Sequence, residues 1–212
     1  NIISLKVLTD SGRGSFKGIN DALDWCIENA DKYNIAAVNM SLGDGSFAEQ
    51  AVIDGYSSQQ LSALNTLGVC VISASGNSYQ STVGVSYPSS DLNSLSIGAL
   101  FHSDVGSIYG AKTSDLDRLA PFSQRDDELT TVFAPGVLIP AASLKGGLIQ
   151  LSGTSMASPV IAGAVVLLQH AALELLGSKL SPTEVESLLI NTGDFISDGD
   201  DDDDNVTNTG FN

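Results

Sequence analysis

The sequence has few basic residues, few cysteines and no long uninterrupted apolar run. Lysine and arginine number 9 against 25 aspartates and glutamates, which gives the 212 residues a formal net charge of −16. Phosphate backbones and anionic lipids attract basic surfaces, so this balance excludes nucleic acid and disfavours a membrane as partner. The longest apolar stretch, Val160 to Leu168, is interrupted by Gly163. It is too short for the roughly 18 to 20 residues of a membrane span.

The two cysteines, Cys26 and Cys70, lie in apolar patterns without CxxC or HxxH spacing. We therefore expect buried free thiols, with a disulfide as the alternative interpretation.

Apolar strand patterns alternate with helical patterns along the chain. We predict strands at 2–8, 36–42, 68–74, 94–100 and near 131–133, and helices at 18–33, 47–67, 155–170 and 182–191. This alternation indicates an α/β fold with three layers, in which helices flank a mostly parallel sheet. In such sheets the chemistry gathers where strands end.

The low-complexity tract of the chain is acidic and comprises Asp198 and Asp200 to Asp204. We expect residues 198–212 to form a solvated loop or tail. Clustered carboxylates suit calcium, so calcium is the one cofactor that the sequence suggests. Like charges in a row rarely converge on one cation, however, and no metal ligand is assigned.

The segment Gly153-Thr154-Ser155-Met156-Ala157-Ser158-Pro159 directly precedes an apolar helical run. A serine at a helix start lies among free backbone N–H groups at the positive end of the helix dipole. That location stabilises an alkoxide or a tetrahedral oxyanion. Ser155 is therefore the candidate nucleophile, and an ordinary N-cap is the alternative.

Two further segments carry chemistry. Val71 to Asn77 is a strand that ends in small residues and then presents an asparagine. That asparagine is either a turn former or, if it faces Ser155, a donor to the developing oxyanion. Val38 to Gly43 is a strand that runs into glycine, and its backbone could pair with an extended peptide.

These three segments, in this order, resemble the subtilase family of serine proteases over nearly the whole chain. The resemblance implies a subtilisin-like fold, serine endopeptidase activity on protein or peptide substrates, and an extracellular location. It implies that Ser155 is the nucleophile and that Asn77 and the Ser155 N–H form the oxyanion hole. It also implies substrate-binding residues, namely Ser41, Leu42, Gly43, Ser73, Ala74, Ser75, Gly76, Gly153 and Thr154.

By the same resemblance, Ser86 lies at the base of the pocket for the residue before the cut bond. A small uncharged residue there predicts apolar or large side chains in the substrate. An acidic rim from other loops would shift that preference toward basic ones.

The chain departs from the family in one respect. The family's triad order is Asp, His, Ser, and neither a D-[ST]-G turn nor an H-G-T helix start occurs here. His102 lies in a polar loop, and His170 is roughly 22 Å along the helix from Ser155 at about 1.5 Å per residue. We therefore expect residues 1–212 to be a partial catalytic domain, incomplete at the N-terminus, and to be inactive or nearly so alone.

By family architecture, the absent strand belongs in the middle of the sheet, between residues 2–8 and 36–42. Either these two strands pair differently here, or an N-terminal segment or a second chain fills the gap. A non-catalytic pseudoprotease that binds peptides through Ser41 to Gly43 is the alternative function, although retention of Ser155 and Asn77 weighs against it. An isolated fragment with no function of its own is a third hypothesis.

Overall fold

The computed structural model describes residues 1–79, 82–197 and 210–211. Its central sheet has four parallel strands in the order β1-β2-β3-β4, which are Ala37–Met40, Cys70–Ala74, Leu95–Leu100 and Val132–Pro135. The helices are α1 (Phe16–Tyr33), α2 (Ser58–Thr66), α3 (Thr154–Leu176) and α4 (Pro182–Thr192). Two antiparallel hairpins complete the elements, β5 (Ile139–Ala142) with β6 (Leu148–Leu151) and β7 (Ile196–Ser197) with β8 (Gly210–Phe211). The predicted α/β fold with a parallel sheet is confirmed.

The sheet has apolar cores on both faces, which gives three layers. Along β2, Cys70 and Ile72 belong to the core beneath α3 and α4, whereas Val71 belongs to the core beneath α1 and α2. Successive side chains of a strand point to opposite faces, so a continuous apolar run such as this one suits a strand buried on both sides.

Local signals fix the helix starts. Ser15 caps α1 by accepting a hydrogen bond from the Gly18 N–H. Ser181 and Glu184 form a reciprocal capping box at the start of α4, with Pro182 as its first residue. The predicted start of this helix is therefore confirmed.

One predicted element is wrong and a second is wrong in part. Residues 2–8 form no strand, and Ile2, Ile3 and Leu5 are exposed. A strand needs a hydrogen-bonding neighbour, and no described strand lies beside this segment. The helix predicted at 47–67 begins only at Ser58, because the Ala48 and Val52 N–H groups donate to the carbonyls of Val85 and Ser90 instead of to carbonyls one turn earlier.

The free edge of β1 borders a groove of about 570 Å³. Within the described residues β1 pairs with β2 only. The groove separates β1 from residues 5–10, and apolar residues of α1, β1 and the turn between β5 and β6 line it, among them Ile19, Leu23, Cys26, Val38, Met40 and Leu144. Residues 2–8 and 36–42 therefore do not pair with each other.

Helix α3 corrects the expectation that the apolar stretch Val160 to Leu168 is too short for a membrane span. It extends beyond the apolar stretch on both sides, and by length and composition alone it could cross a membrane. One side packs on the sheet through Ala157, Ile161 and Val165. Apolar residues on another side, Val160 and Leu167 among them, are exposed. The helix thus has two apolar faces, of which the fold covers one.

Both cysteines are buried and free, as predicted. Burial raises the pKa of the Cys26 thiol and raises that of Cys70 to about 11. The acidic tract of Asp198 and Asp200 to Asp204, with its calcium hypothesis, lies outside the described residues.

We expect the central strand β2 to dominate stability. Ile72 is fully buried in β2, whereas Ile53 is exposed. Ile72→Ala should lower the free energy of unfolding by about 2–5 kcal/mol, because it removes buried methyl groups and leaves a cavity. The matched Ile53→Ala change should stay within about 0.5 kcal/mol. Urea unfolding of the two variants measures both, and equal effects would contradict the assigned core.

Candidate active site

The site forms where β1 and β2 end and α3 begins. β1 runs directly into Ser41, and β2 runs through Ser75 and Gly76 to Asn77. Parallel strands end at the same edge of a sheet, so these two segments lie side by side. The site thus occupies the carboxyl edge of the sheet, where open α/β folds place their ligands.

Ser155 is the second residue of α3 and is half-buried. Its hydroxyl lies 3.4 Å from the Ser41 carbonyl oxygen. In return, the Ser41 hydroxyl donates to the Ser155 carbonyl at 2.8 Å and lies 3.0 Å from the Ser158 hydroxyl. These contacts join the end of β1 to the first turn of α3.

Thr154 holds the side chain of Asn77. The Asn77 Oδ1 accepts the Thr154 N–H at 2.8 Å and lies 3.1 Å from the Thr154 hydroxyl. That hydroxyl also accepts the Gly76 N–H at 3.1 Å. The Nδ2 group of Asn77, in contrast to Oδ1, donates to no group among the described residues.

The backbone of Gly153 lies close to this amide. Its φ of 152° lies at the margin of the region that favours glycine, and a Cβ there would come within 3.3 Å of the Asn77 Nδ2. As the second helical residue, Ser155 has an N–H without a carbonyl partner inside the helix. Two kinds of unengaged donor, one amide and one backbone, therefore surround the start of α3.

The residues predicted to bind substrate fall into two groups, one at the surface and one in the interior. Ser41, Leu42, Gly43 and Gly76 are at least partly exposed, whereas Ser73, Ala74, Ser75, Ser86, Gly153 and Thr154 are buried. Ser86 bridges the two segments, because its N–H donates to the Ser75 carbonyl at 2.8 Å and its hydroxyl accepts the Gly45 N–H at 3.0 Å. A Cβ at Gly43 would lie 2.6 Å from that hydroxyl, which explains the glycine.

Asp44, the residue directly after the predicted peptide-binding strand, was not among the predicted site residues. Its Oδ1 accepts hydrogen bonds from the Ser46 N–H and hydroxyl, the Ser86 hydroxyl and the Tyr87 N–H, at 2.6–3.2 Å. Partial burial raises the pKa of this carboxyl, but the hydrogen bonds outweigh it and the pKa is lowered. The one available signal was an acidic residue adjoining Gly43.

Neither histidine lies at Ser155. His102 lines a separate pocket with Leu116, Asp117 and Asp194. His170 lies on the exposed side of α3, four turns beyond Ser155. Ser155 accordingly has no general base within hydrogen-bond reach in the described part of the chain.

No group of three or more potential metal-ligating His, Cys, Asp or Glu side chains occurs within residues 1–79, 82–197 and 210–211.

A serine at a helix start on the carboxyl edge of a parallel sheet, beside an asparagine amide, is typical of serine hydrolases. The subtilase family model, Peptidase_S8, matches residues 1–211, and the chain belongs to that family.

Curated relatives agree with this assignment. Subtilisin DY of Bacillus licheniformis is 32% identical over 92% of this chain and 62% of its own length. Alkaline serine exoprotease A of Vibrio alginolyticus is 32% identical over 90% of this chain and 30% of its own length. Subtilisin E of Bacillus subtilis is 32% identical over 79% of this chain and 38% of its own length. The chain therefore spans between about a third and two thirds of these relatives.

Solved structures show the same fold. A cold adapted subtilisin-like serine proteinase superposes with a TM-score of 0.68 at 26% identity, over 97% of this chain and 64% of that one. The prenylagaramide maturation protease PagA superposes with a TM-score of 0.64 at 24% identity, over 89% of this chain and 61% of that one.

Thr154→Val should lower turnover about tenfold with little change in KM, because it removes the hydroxyl that helps to orient Asn77. Thr154→Ser keeps the hydroxyl and should retain most of the turnover. Steady-state kinetics on the protein from the complete coding frame measure both variants. Equal losses in the two, or a change confined to KM, would contradict this role for Thr154.

Proposed function

We propose that this chain carries the nucleophile and the oxyanion-stabilising groups of a serine endopeptidase. The observation that carries the proposal is the position of Ser155 in the first turn of α3, next to Thr154, whose N–H donates to Asn77 Oδ1 at 2.8 Å. Family membership supports peptide bonds as the substrate class.

In the proposed reaction, a general base removes the Ser155 hydroxyl proton as Oγ attacks the scissile carbonyl carbon. The resulting oxyanion accepts hydrogen bonds from Asn77 Nδ2 and the Ser155 N–H. Collapse of this intermediate breaks the C–N bond, and the base returns its proton to the leaving amine. Water, deprotonated by the same base, then hydrolyses the acyl-enzyme.

The substrate would lie as an extended strand against the end of β1. Ser41 to Gly43 provide one backbone edge and Gly76 follows the opposite strand. Among the buried residues predicted to bind substrate, Ser73 does not line this cleft. Its hydroxyl accepts a hydrogen bond from the Ser94 hydroxyl at 2.7 Å within the sheet. We infer that Ser73, Ala74 and Ser75 position Gly76 and Asn77 from the interior.

The general base is proposed to be a histidine, oriented by an aspartate, in the part of the relatives that this chain does not cover. His102 lines a separate pocket and His170 lies four turns along α3, which supports a base outside residues 1–212. An unassisted serine hydroxyl is a weak nucleophile, so residues 1–212 alone should turn over little or no substrate. An extracellular location is proposed from family membership alone.

Fluorophosphonate labelling, read by intact mass, tests the nucleophile. The protein from the complete coding frame should be labelled once, because an activated serine attacks the phosphorus, and Ser155→Ala should abolish the label. Residues 1–212 alone should stay unlabelled. Ser181→Ala is the matched control, since Ser181 is an ordinary N-cap serine, and it should leave labelling unchanged.

Absence of label on a folded complete protein would favour the pseudoprotease hypothesis. Labelling of residues 1–212 alone would show that the chain contains its own base. Within a labelled protein, Asn77→Ala should lower turnover about 10²–10³-fold, a magnitude measured on subtilisin, a member of this family.

The groove beside β1 supports a second part of the proposal, that a strand from outside residues 1–212 completes the sheet. β1 has an unpaired edge within the described chain, and apolar side chains such as Val38, Met40 and Leu23 line the gap. Unpaired backbone groups and bare apolar surface both favour an added strand.

Hydrogen exchange tests this completion. The amides of residues 37–42 should exchange at least tenfold more slowly in the complete protein than in residues 1–212, since a new neighbour would pair with the edge of β1. Amides of α4 are the internal control and should change little. Equal exchange at residues 37–42 in the two proteins would contradict the added strand.

A further inference from the structure

We propose that Asp44 is a specificity-determining residue that selects substrates with Lys or Arg immediately before the cut bond. The proposal rests on the proposed function, because it places a substrate side chain between the residues that follow β1 and β2.

Asp44 lies within reach of that side chain. It follows Ser41 by three residues, which is at most about 11 Å of extended chain. Ser41 itself donates to the Ser155 carbonyl at 2.8 Å. The Asp44 Oδ1 accepts hydrogen bonds from the Ser86 hydroxyl and the Tyr87 N–H, each at 3.2 Å. The carboxylate therefore lies beside Ser86, the residue that the family resemblance puts at the base of the pocket for the residue before the cut bond.

The charge of Asp44 is fixed in place but not neutralised. All four hydrogen bonds reach Oδ1, and Oδ2 accepts none from the described residues. The two ion pairs recorded in the described chain are Lys6 with Asp10 and Lys17 with Asp21, both elsewhere. Asp44 is exposed, so a cation from the substrate can reach its free oxygen.

The chemistry favours a long basic side chain over other ligands. An ammonium or guanidinium group can donate to Oδ2 while the aliphatic part of the same side chain lies against the backbone of Gly43. A neutral side chain of equal length makes no such bond, and an acidic one is repelled. Because four donors hold Oδ1, the carboxylate needs little reorganisation when the cation arrives.

A purely local role for Asp44 makes a different prediction. The Ser46 N–H donates to the side chain of Asp44, two residues earlier in the chain. This hydrogen bond is typical of turns that an aspartate side chain stabilises. Asparagine preserves this acceptor and the shape of the loop while removing the charge. Asp44→Asn therefore separates charge selection from support of the turn.

The experiment compares two peptide substrates that differ only in Lys or Met before the cut bond, using the protein from the complete coding frame. Wild type should show a higher kcat/KM for the Lys peptide, and Asp44→Asn should lower the Lys-to-Met ratio about tenfold while the Met value stays within about twofold. Asp31→Asn removes the same formal charge from the last turn of α1, near the opposite end of β1, and should leave the ratio unchanged.

A ratio unchanged in Asp44→Asn, or an equal loss for both peptides, would overturn the proposal and assign Asp44 to the turn alone. The Kd ratio of the two peptides is measured in parallel in the Ser155→Ala background and with Asp44→Asn added. If wild type cleaves neither peptide, the proposed function fails. The Kd ratio still decides the inference in that case: a tenfold preference for Lys that Asp44→Asn removes supports it, and equal Kd values overturn it.

Discussion

The hydrogen bond from the Thr154 N–H to Asn77 Oδ1 joins the two halves of the site. It ties the loop after β2 to the first residue of α3, and the Thr154 hydroxyl adds a second tie through Gly76. This bond occupies the acceptor of the amide and leaves the Nδ2 donors unengaged near Gly153, at the start of α3. The proposed chemistry depends on this orientation, since a rotated amide would present an oxygen to a developing negative charge.

The parallel sheet places the other groups around that bond. β1 delivers Ser41 to Ser155, and Ser86 connects the loop after β1 to Ser75 at the end of β2. The other edge of β1 is free within the described residues and borders the groove. Under the proposed function, completion of the sheet and supply of the general base would both depend on chain outside residues 1–212.

The sequence predicted most of this arrangement, and its errors have physical causes. Alternating patterns gave β2, α3 and α4, because their apolar runs and caps are local signals. The strand predicted at 2–8 does not form, because a strand depends on a hydrogen-bonding neighbour. The helix predicted at 47–67 is shorter than expected, because the Ala48 and Val52 N–H groups donate to carbonyls distant in the sequence. The Thr154–Asn77 bond spans 77 positions, and the partners of Asp44 lie up to 43 positions away, so no local pattern shows either.

The most direct test of the central claim is a crystal structure of the complete protein inactivated by a fluorophosphonate. We predict phosphorus bonded to Ser155 Oγ, with one phosphoryl oxygen about 2.7–3.1 Å from both Asn77 Nδ2 and the Ser155 N. The imidazole nearest to Ser155 Oγ should belong to neither His102 nor His170. Bonding at another serine, an oxygen turned away from Asn77, or either of those two histidines at the nucleophile would contradict the account.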